Sequence, residues 1–455
     1  MNAAPPPTET TRFATRFGAA MTLIGVAVGL ANIWRFPYMA GQYGGGAFVL
    51  VYVAFVLLLG VPALIAEWSL GRLTRAGPGG AFRRIGMPGG GVIGFILFLT
   101  VFMATSYYTV VVAQILFYAA RGGSVGDPEA FYAANFSGIT ALNLGCTVVV
   151  FAAMGGVAAF GVRRGIERLS RIAMPLVGLG LLIVAVRAVT LPGASEGVRY
   201  LLWPDFERVT STTFLAALGQ AFFSLSLGGT FFLAYGSYLP RSVNLPRLAG
   251  ATALGDTGAA MLGGLAVIPA AFALGVAPAS GPALLFFTLP RVFEAMPGGA
   301  LFGPIFFLAL FLAAFLSALA ALEVIVNSAT AWTRERAEAG SGLFAGLFMG
   351  WRRRHVILAV VCLQIPLAMP SMVSGDYLAW SDLLWGSTMQ PLGSAFTLIG
   401  LGFFVSRGRA LAEAGRGAAH APGDGWLFWI RWVVPAGILV VLGWGWAGPI
   451  AELFS

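Results

Sequence analysis

The sequence contains no lysine, only two cysteines and only two histidines. Charged residues make up 10% of the chain and apolar residues 58%, and the mean hydropathy is +0.85. A soluble domain of 455 residues needs far more charge to cover its surface, so a large soluble all-α protein is disfavoured. Repeated apolar runs of about twenty residues predict instead an all-α polytopic membrane protein with the lipid bilayer as its surroundings.

The scarcity of cysteine and histidine also excludes several kinds of site. Cys146 and Cys362 lie inside apolar runs, so the sequence indicates neither a disulfide framework nor a thiol metal site. His355 and His420 lie beside arginine-rich loops and are interpreted as solvated loop residues. Because no nucleophile–base pair or metal-ligand cluster is visible, we predict that the protein is not an enzyme.

Eleven apolar segments are long enough to span a membrane. They lie near 17–40, 46–70, 92–119, 139–161, 172–191, 213–238, 248–276, 300–332, 355–371, 378–405 and 427–450. The stretch 282–296 is short and flanked by proline, and we predict that it forms a helical lid on the outer side. Residues 1–16 lack the apolar core of a cleaved signal and are predicted to form a cytoplasmic tail.

The arginines predict the orientation. With the N-terminus in the cytoplasm, twenty arginines fall on the inner side and five on the outer side, namely Arg121, Arg187, Arg199, Arg208 and Arg291. This asymmetry follows the positive-inside rule and predicts an inner or plasma membrane protein with a cytoplasmic N-terminus. The net charge of +9 therefore reflects topology, and we expect no nucleic-acid partner.

Two of the eleven segments contain clusters of glycine or proline. The clusters are Gly25, Gly29 and Pro37 in the first segment, and Gly219, Gly228, Gly229 and Gly236 in the sixth. Such glycines can serve helix packing alone. Interruptions five segments apart are, however, typical of an inverted-repeat transporter whose site lies near the membrane midplane.

This spacing predicts the organisation of the chain. Residues 17–191 would form the first five-helix repeat and 213–405 the second. Helices 1 and 6 would be broken, and 427–450 would form a peripheral eleventh helix. The sequence does not predict the oligomeric state.

Two charged residues stand inside apolar segments. Arg35 lies deep in the first segment, where an arginine needs a partner or water. Asp382 in the tenth segment is its natural partner, and the two are predicted to form a gate toward the outer side. The alternative is that Arg35 is only an anchor that reaches the membrane surface.

Neutral oxygen atoms are concentrated in and beside the two interrupted segments. Asn32, Ser224, Ser226 and Ser317 offer amide and hydroxyl oxygens, and unwinding near Gly25 and Ala27 would free backbone carbonyls. Such ligands suit a monovalent hard cation better than Zn²⁺ or Mg²⁺. These residues could instead hold helices together by hydrogen bonds. Tyr108 lies in the middle of its segment, which favours a hydroxyl group that reaches an internal polar group. Phe223 is interpreted either as an aromatic lid over a site or as a residue of the hydrophobic core.

Several motifs resemble those of the neurotransmitter:sodium symporter family, in its bacterial amino-acid transporter branch. They are GVAVGLANIWRFPYMAGQYGGGAF (25–48), EWSLGR (67–72), GIERLSRIAMP (165–175), WPDFE (203–207) and GQAFFSLSLGG (219–229). The matches follow in order over nearly the whole chain. The resemblance implies alternating-access transport of a small-molecule amino acid or amine with one or two Na⁺ ions.

The resemblance also assigns expected roles to particular residues. The first sodium site would comprise Ala27, Asn32, Ser224 and Asp256, and the second Gly25, Val28, Ala313 and Ser317. The substrate site would comprise Ala27, Gly29, Ala31, Ala104, Tyr108, Phe223, Ser224, Ser226, Gly229, Ser317 and Ala321. Arg35 and Asp382 fall on the extracellular gate. Gly29 stands where monoamine transporters carry an aspartate, which favours an amino acid over a monoamine.

The sequence departs from the family pattern at several positions. Ala31 replaces a glycine beside the expected carboxylate site, and Leu316 replaces an oxygen ligand of the second sodium. Asp256 replaces the usual asparagine, or lies one residue from it, and a built-in anion there would make chloride unnecessary. At the inner gate the usual acidic position is Ala331, with Arg12 and Glu335 nearby, so the partners there stay open.

The substrate-size prediction rests on four positions of the side-chain subsite. Ala104, Gly229 and Ala321 are small there, and Phe223 is the fourth. We therefore predict sodium-coupled symport of a neutral, bulky hydrophobic or aromatic amino acid, unless neighbouring side chains fill the space. The alternatives are a transporter of the same fold that uses one sodium or a proton, and a membrane sensor or scaffold that does not transport.

Overall fold

The computed structural model describes residues 13–123, 125–275, 284–339, 352–419 and 421–453, without the side chains of 333–339 and 447–453. Residues 1–12 of the predicted tail, which include Arg12, lie outside the described residues. So do residue 276 at the end of the seventh apolar segment, residues 282–283 of the predicted lid, His420 and the side chain of Glu335. Helices dominate the described residues, and a single isolated bridge joins Gly45 to Pro204.

We number the helices in chain order, and each long one contains an apolar run that would otherwise be exposed to water. The helices of the first half are α1 (Arg16–Ala27), α2 (Ala31–Gln42), α3 (Gly46–Thr74), α4 (Pro78–Arg84), α5 (Gly90–Arg121), α6 (Pro128–Asn135), α7 (Ala141–Ala159), α8 (Val162–Val189) and α9 (Ala194–Leu202). The helices of the second half are α10 (Ser211–Ser224), α11 (Phe231–Tyr238), α12 (Leu245–Ala273), α13 (Leu289–Ala295), α14 (Gly299–Ala339), α15 (Arg353–Val373), α16 (Gly375–Phe404), α17 (Arg407–Gly415) and α18 (Asp424–Trp446).

The helix lengths agree with the predicted membrane fold. Among the described residues, eight helices are long and apolar enough to span a membrane, or up to ten if each of two bent pairs counts as one span. The pair α1 and α2 bends by 54°, as expected for a broken first span. The predicted sixth span corresponds to α10 and α11, each too short to cross alone. The all-α membrane fold with broken helices 1 and 6 is confirmed.

The break between α1 and α2 follows from local backbone geometry. Val28 is extended, with φ −69° and ψ 120°, and it ends α1. The freed N–H of Gly29 donates to Asn32 Oδ1 at 3.0 Å, which satisfies one of the donors at the start of the next helix. A Cβ on Gly29 would lie 3.1 Å from the Tyr108 hydroxyl oxygen, so glycine lets α5 approach closely.

The break between α10 and α11 is wider and depends on a buried acid. Ser226 and Gly229 both have positive φ values, 50° and 60°, which no regular helix contains. The freed N–H groups of Gly228 and Gly229 donate to Glu67 Oε1 of α3 at 3.2 Å and 2.9 Å. Glu67 is fully buried, so this carboxylate replaces the water that would otherwise solvate the break.

The two breaks lie side by side. Ser226 Oγ donates to the backbone carbonyl of Val26 at 3.2 Å, and Gln220 Nε2 donates to the carbonyl of Ala31 at 3.0 Å. Side chains of the sixth span therefore supply donors to backbone carbonyls on either side of the first break. This contact places the unwound segments next to one another in the interior of the bundle.

The predicted lid segment is helical over its described part. A π-helical turn, Leu284–Thr288, leads into α13. Phe286 packs on Tyr118 and Tyr132, with ring centroids 5.4 Å and 5.3 Å apart. Arg291 of α13 pairs with Glu129 of α6. The segment is thus held against α5 and α6 by aromatic contacts.

Candidate functional site

A cavity of about 80 Å³ lies beside the two helix breaks. Most of the residues predicted for the substrate site line it: Ala27, Gly29, Ala31, Ala104, Tyr108, Phe223, Ser226, Ser317 and Ala321. The cavity is also lined by residues that the sequence did not single out: Leu30, Thr105, Tyr107, Phe231, Ala318, Gly386 and Gln390. Unwound backbone, aromatic rings and alanine side chains therefore line one common cavity.

The predicted first sodium residues form a buried cluster next to this cavity. Ser224 Oγ donates to Asp256 Oδ2 at 2.7 Å, and Asn32 Nδ2 donates to Asp256 Oδ1 at 2.7 Å and to the Asp256 carbonyl at 3.0 Å. Tyr52, which the sequence did not indicate, lies 3.2 Å from both Ser224 Oγ and Asp256 Oδ2. All four residues are fully buried, and Ser224 belongs to this cluster instead of lining the cavity.

The predicted second sodium residues lie in α1, at the first break and in α14. Val28 and Ala313 are buried, and Ser317 lies near Gly29, since a Cβ there would be 3.5 Å from Ser317 Oγ. Leu316 points at the same place, because its Cδ1 would lie 3.2 Å from a Cβ on Gly25. The residue for which the family resemblance implies an oxygen ligand thus presents a methyl group to Gly25.

Gly229 is not among the residues that line the cavity, and its assignment to the side-chain subsite stays a prediction. A Cβ at this position would lie 2.1 Å from the Gly393 carbonyl oxygen and 2.4 Å from Thr397 Oγ1 of α16. Its small size lets the break pack against α16. Phe231, two residues later, lines the cavity, so a neighbouring ring occupies part of the space that the sequence left for the substrate.

Substituting Gly229 should therefore affect folding more than selectivity. We expect Gly229→Ala to destabilise the protein by several kcal/mol, since the residue combines positive φ with backbone contact that cannot yield. Thermal unfolding of purified protein, followed by size-exclusion fluorescence, measures this change. Gly156→Ala on α7 is the matched control, because a Cβ there meets nothing within 4 Å. Equal melting temperatures for the two variants would contradict the prediction.

The predicted gate residues face different spaces. Asp382 lines the central cavity, and Tyr107 donates a hydrogen bond to its Oδ1 at 3.1 Å. The Arg35 guanidinium lies over the Phe223 ring at 4.3 Å and lines a neighbouring cavity between α10, α16 and α18. In the described part of the chain no ion pair joins the two side chains. Asp382 nevertheless lies within electrostatic range of Arg35, so the predicted partners are close together without forming the pair in this conformation.

A buried ion pair lies near the positions discussed for the inner gate. Ala331 has no acidic group, but Glu323, two turns earlier on α14, is fully buried and pairs with Arg353 at the start of α15. Tyr238 at the end of α11 donates to Glu323 Oε1 at 3.2 Å. These contacts join the second half of the broken sixth span to α14 and α15. The position of an acidic residue inside an apolar segment was the sequence signal that could have identified Glu323.

The comparisons with known proteins agree on one family. The model of the sodium:neurotransmitter symporter family matches residues 11–124 and 133–372. An uncharacterized sodium-dependent transporter of Bacillus subtilis (strain 168), YhdH, is 34% identical over 443 residues, which cover 94% of this chain and 96% of the relative. The human sodium- and chloride-dependent creatine transporter 1 is 28% identical over 372 residues, covering 68% of this chain and 57% of that protein.

A solved structure is similar over almost the whole chain. The crystal structure of MhsT in complex with L-phenylalanine matches with a TM-score of 0.82 and 32% identity, and the match covers 94% of this chain and 98% of that one. On this evidence the chain belongs to the sodium:neurotransmitter symporter family, whose curated relatives here are sodium-dependent transporters.

Proposed function

We propose that the protein carries a bulky neutral amino acid across the membrane together with sodium, by alternating access. The observation that carries this proposal is the cavity beside the two helix breaks, where alanine side chains stand opposite aromatic rings. Its alanines are Ala27, Ala31, Ala104, Ala318 and Ala321. A large apolar substrate side chain would gain roughly 0.8 kcal/mol for each CH₂ that it buries there. The bound phenylalanine of the similar MhsT structure supports a substrate of this size.

The buried oxygen cluster is the proposed first sodium site. The Asn32 amide nitrogen now stands among Ser224 Oγ, Asp256 Oδ1 and the Asp256 carbonyl, where a cation would stand. Rotation of the amide would present its oxygen to the ion and release the Gly29 N–H toward a substrate carboxylate. Oxygen ligands with one carboxylate suit Na⁺. The ends of the broken helices would then hold the charged groups of the amino acid.

Uptake into proteoliposomes tests the function. Labelled phenylalanine should accumulate when an inward sodium gradient is imposed, and leucine and tryptophan should compete better than glycine and alanine. Better competition by glycine and alanine would contradict the large-pocket proposal. Absence of uptake with any amino acid, combined with sodium-dependent binding, would favour the sensor or scaffold alternative.

Leu316 favours a variant of this function in which one sodium, or a proton, drives transport. An alkyl group in place of an oxygen ligand leaves a cation partly unsolvated. We predict a Hill coefficient near one for sodium, and we expect Leu316→Thr to raise it or to lower the half-saturating sodium concentration severalfold. Sodium titration of uptake measures both quantities.

Leu308→Thr is the control for this prediction. Leu308 lies on the same helix, is 51% exposed and supplies none of the atoms nearest to a Cβ on Gly25. The same chemical change there should leave the sodium curve unaltered. A steep curve in the native protein, together with no effect of Leu316→Thr, would show that the second site is intact without this oxygen.

A further inference from the structure

One wall of the central cavity comes from α16 and carries three residues at a spacing of four. Asp382, Gly386 and Gln390 all line the cavity and so share one face of this segment, which is π-helical over Asp382–Met389. A Cβ on Gly386 would lie 2.7 Å from the Tyr107 hydroxyl oxygen and 2.8 Å from Asp382 Oδ1. The Tyr107–Asp382 hydrogen bond therefore lies beside Gly386, and Gln390 is four residues further along the wall.

Gln390 lies at the break of the sixth span. A Cβ on Gly228 would be 3.3 Å from the Gln390 Cβ. This is the end of the cavity where Phe231, the first residue of α11, contributes its ring. Gln390 thus lines the cavity next to the segment that forms the break.

The other polar side chains of the cavity already have hydrogen-bond partners. Thr105 Oγ1 donates to the Val101 carbonyl at 2.7 Å, and Ser226 Oγ donates to the Val26 carbonyl at 3.2 Å. Tyr107 donates to Asp382. Within the described part of the chain, the Gln390 side-chain amide has no such partner, although it can both donate and accept.

We infer that the Gln390 amide recognises a hydrogen-bonding atom at the far end of the substrate side chain. This inference rests on the proposed function and specifies its substrate class: large side chains that are apolar in the body and polar at the tip, such as indole or phenol. A site whose polar group is paired only by the right substrate disfavours an analogue that lacks the matching atom. Gln390 is therefore a specificity residue, separate from the groups that hold the amino-acid backbone.

Binding of matched analogues to the purified full-length protein in sodium buffer tests the inference. Isothermal titration should give a dissociation constant for tryptophan about tenfold lower than for 1-methyltryptophan, which has no indole N–H. Tyrosine should likewise bind more tightly than phenylalanine when the two are compared with the same preparation. In Gln390→Leu and Gln390→Met the ratio between the two tryptophans should fall toward one.

Gln364→Leu is the matched control, because it makes the same change on α15 outside the cavity. Gln364 is buried and donates to the Phe102 carbonyl at 2.9 Å. This variant should keep the native ratio. Equal affinity of the native protein for the two tryptophans, or an unchanged ratio in both Gln390 variants, would overturn the inference while leaving amino-acid transport intact. Failure of all four amino acids to bind the native protein would overturn the proposed function as well.

Discussion

Asp256→Asn should lower sodium-dependent uptake roughly a hundredfold or more in chloride-free buffer, equivalent to about 2.8 kcal/mol. The carboxylate is fully buried and is the acidic member of the cluster that contains Asn32, Tyr52 and Ser224. A fixed negative charge at this distance strongly stabilises a cation where water is excluded. Removing the charge while keeping the shape leaves the proposed sodium site with neutral oxygens only.

The same reasoning predicts how the native protein responds to chloride. Replacing chloride by gluconate should leave native uptake unchanged, because Asp256 supplies the negative charge. In Asp256→Asn, added chloride should restore part of the lost uptake, since the anion could offset the sodium charge beside Tyr52 and Ser224. Parallel uptake measurements in chloride and gluconate decide this. A strict chloride requirement of the native protein would contradict the hypothesis.

Asp376→Asn is the matched control for the charge change. Asp376 lies in the first turn of α16 and is exposed, so its charge is screened by solvent. This variant should retain native uptake in both buffers. A loss of uptake equal to that of Asp256→Asn would show that the effect does not come from the buried cluster.

The all-α membrane fold, the two helix breaks and most of the residues that line the cavity could be predicted from the sequence. Long apolar runs have few alternatives in a membrane, and glycines paired five spans apart point to one architecture. Tyr108 and Ser317 were singled out by residue type and position, Ala104 by the family resemblance, and all three line the cavity. Their sodium and substrate roles stay predictions until binding is measured.

The sequence failed where a contact depends on how unwound backbone packs. In a sequence, a glycine can indicate either space for a ligand or a close contact between backbones. Only the position of Gly393 in the structure shows that Gly229 makes a close backbone contact. Glu67 belonged to a recognised motif, yet nothing local showed that its carboxylate receives the amides of Gly228 and Gly229. Nor could spacing show that Phe231 lines the cavity, because periodicity is lost across a break.

Asp382→Ala should reduce transport about a hundredfold while binding of substrate and the melting temperature change far less. The reason lies in the two separate environments of the proposed gate charges. Asp382 accepts a hydrogen bond from Tyr107, and Arg35 lies over the Phe223 ring. Charges in apolar spans are costly, so each needs a partner in every state of the cycle.

The Arg35–Asp382 pair would then form only when the outer side of the transporter closes. In the open state, Tyr107 would stabilise Asp382 and Phe223 would stabilise Arg35. Removing Asp382 prevents the gate pair from forming but leaves the substrate site in place. Uptake should therefore fall while equilibrium binding of substrate is retained. Tyr107→Phe is the informative control, because it removes only the alternative partner of Asp382 and should impair uptake much less than Asp382→Ala. Sodium-driven uptake and equilibrium binding, measured on the same preparations, distinguish these effects. Full uptake in Asp382→Ala would show that this carboxylate has no part in closure, since no other acid lines the central cavity in the described part of the chain.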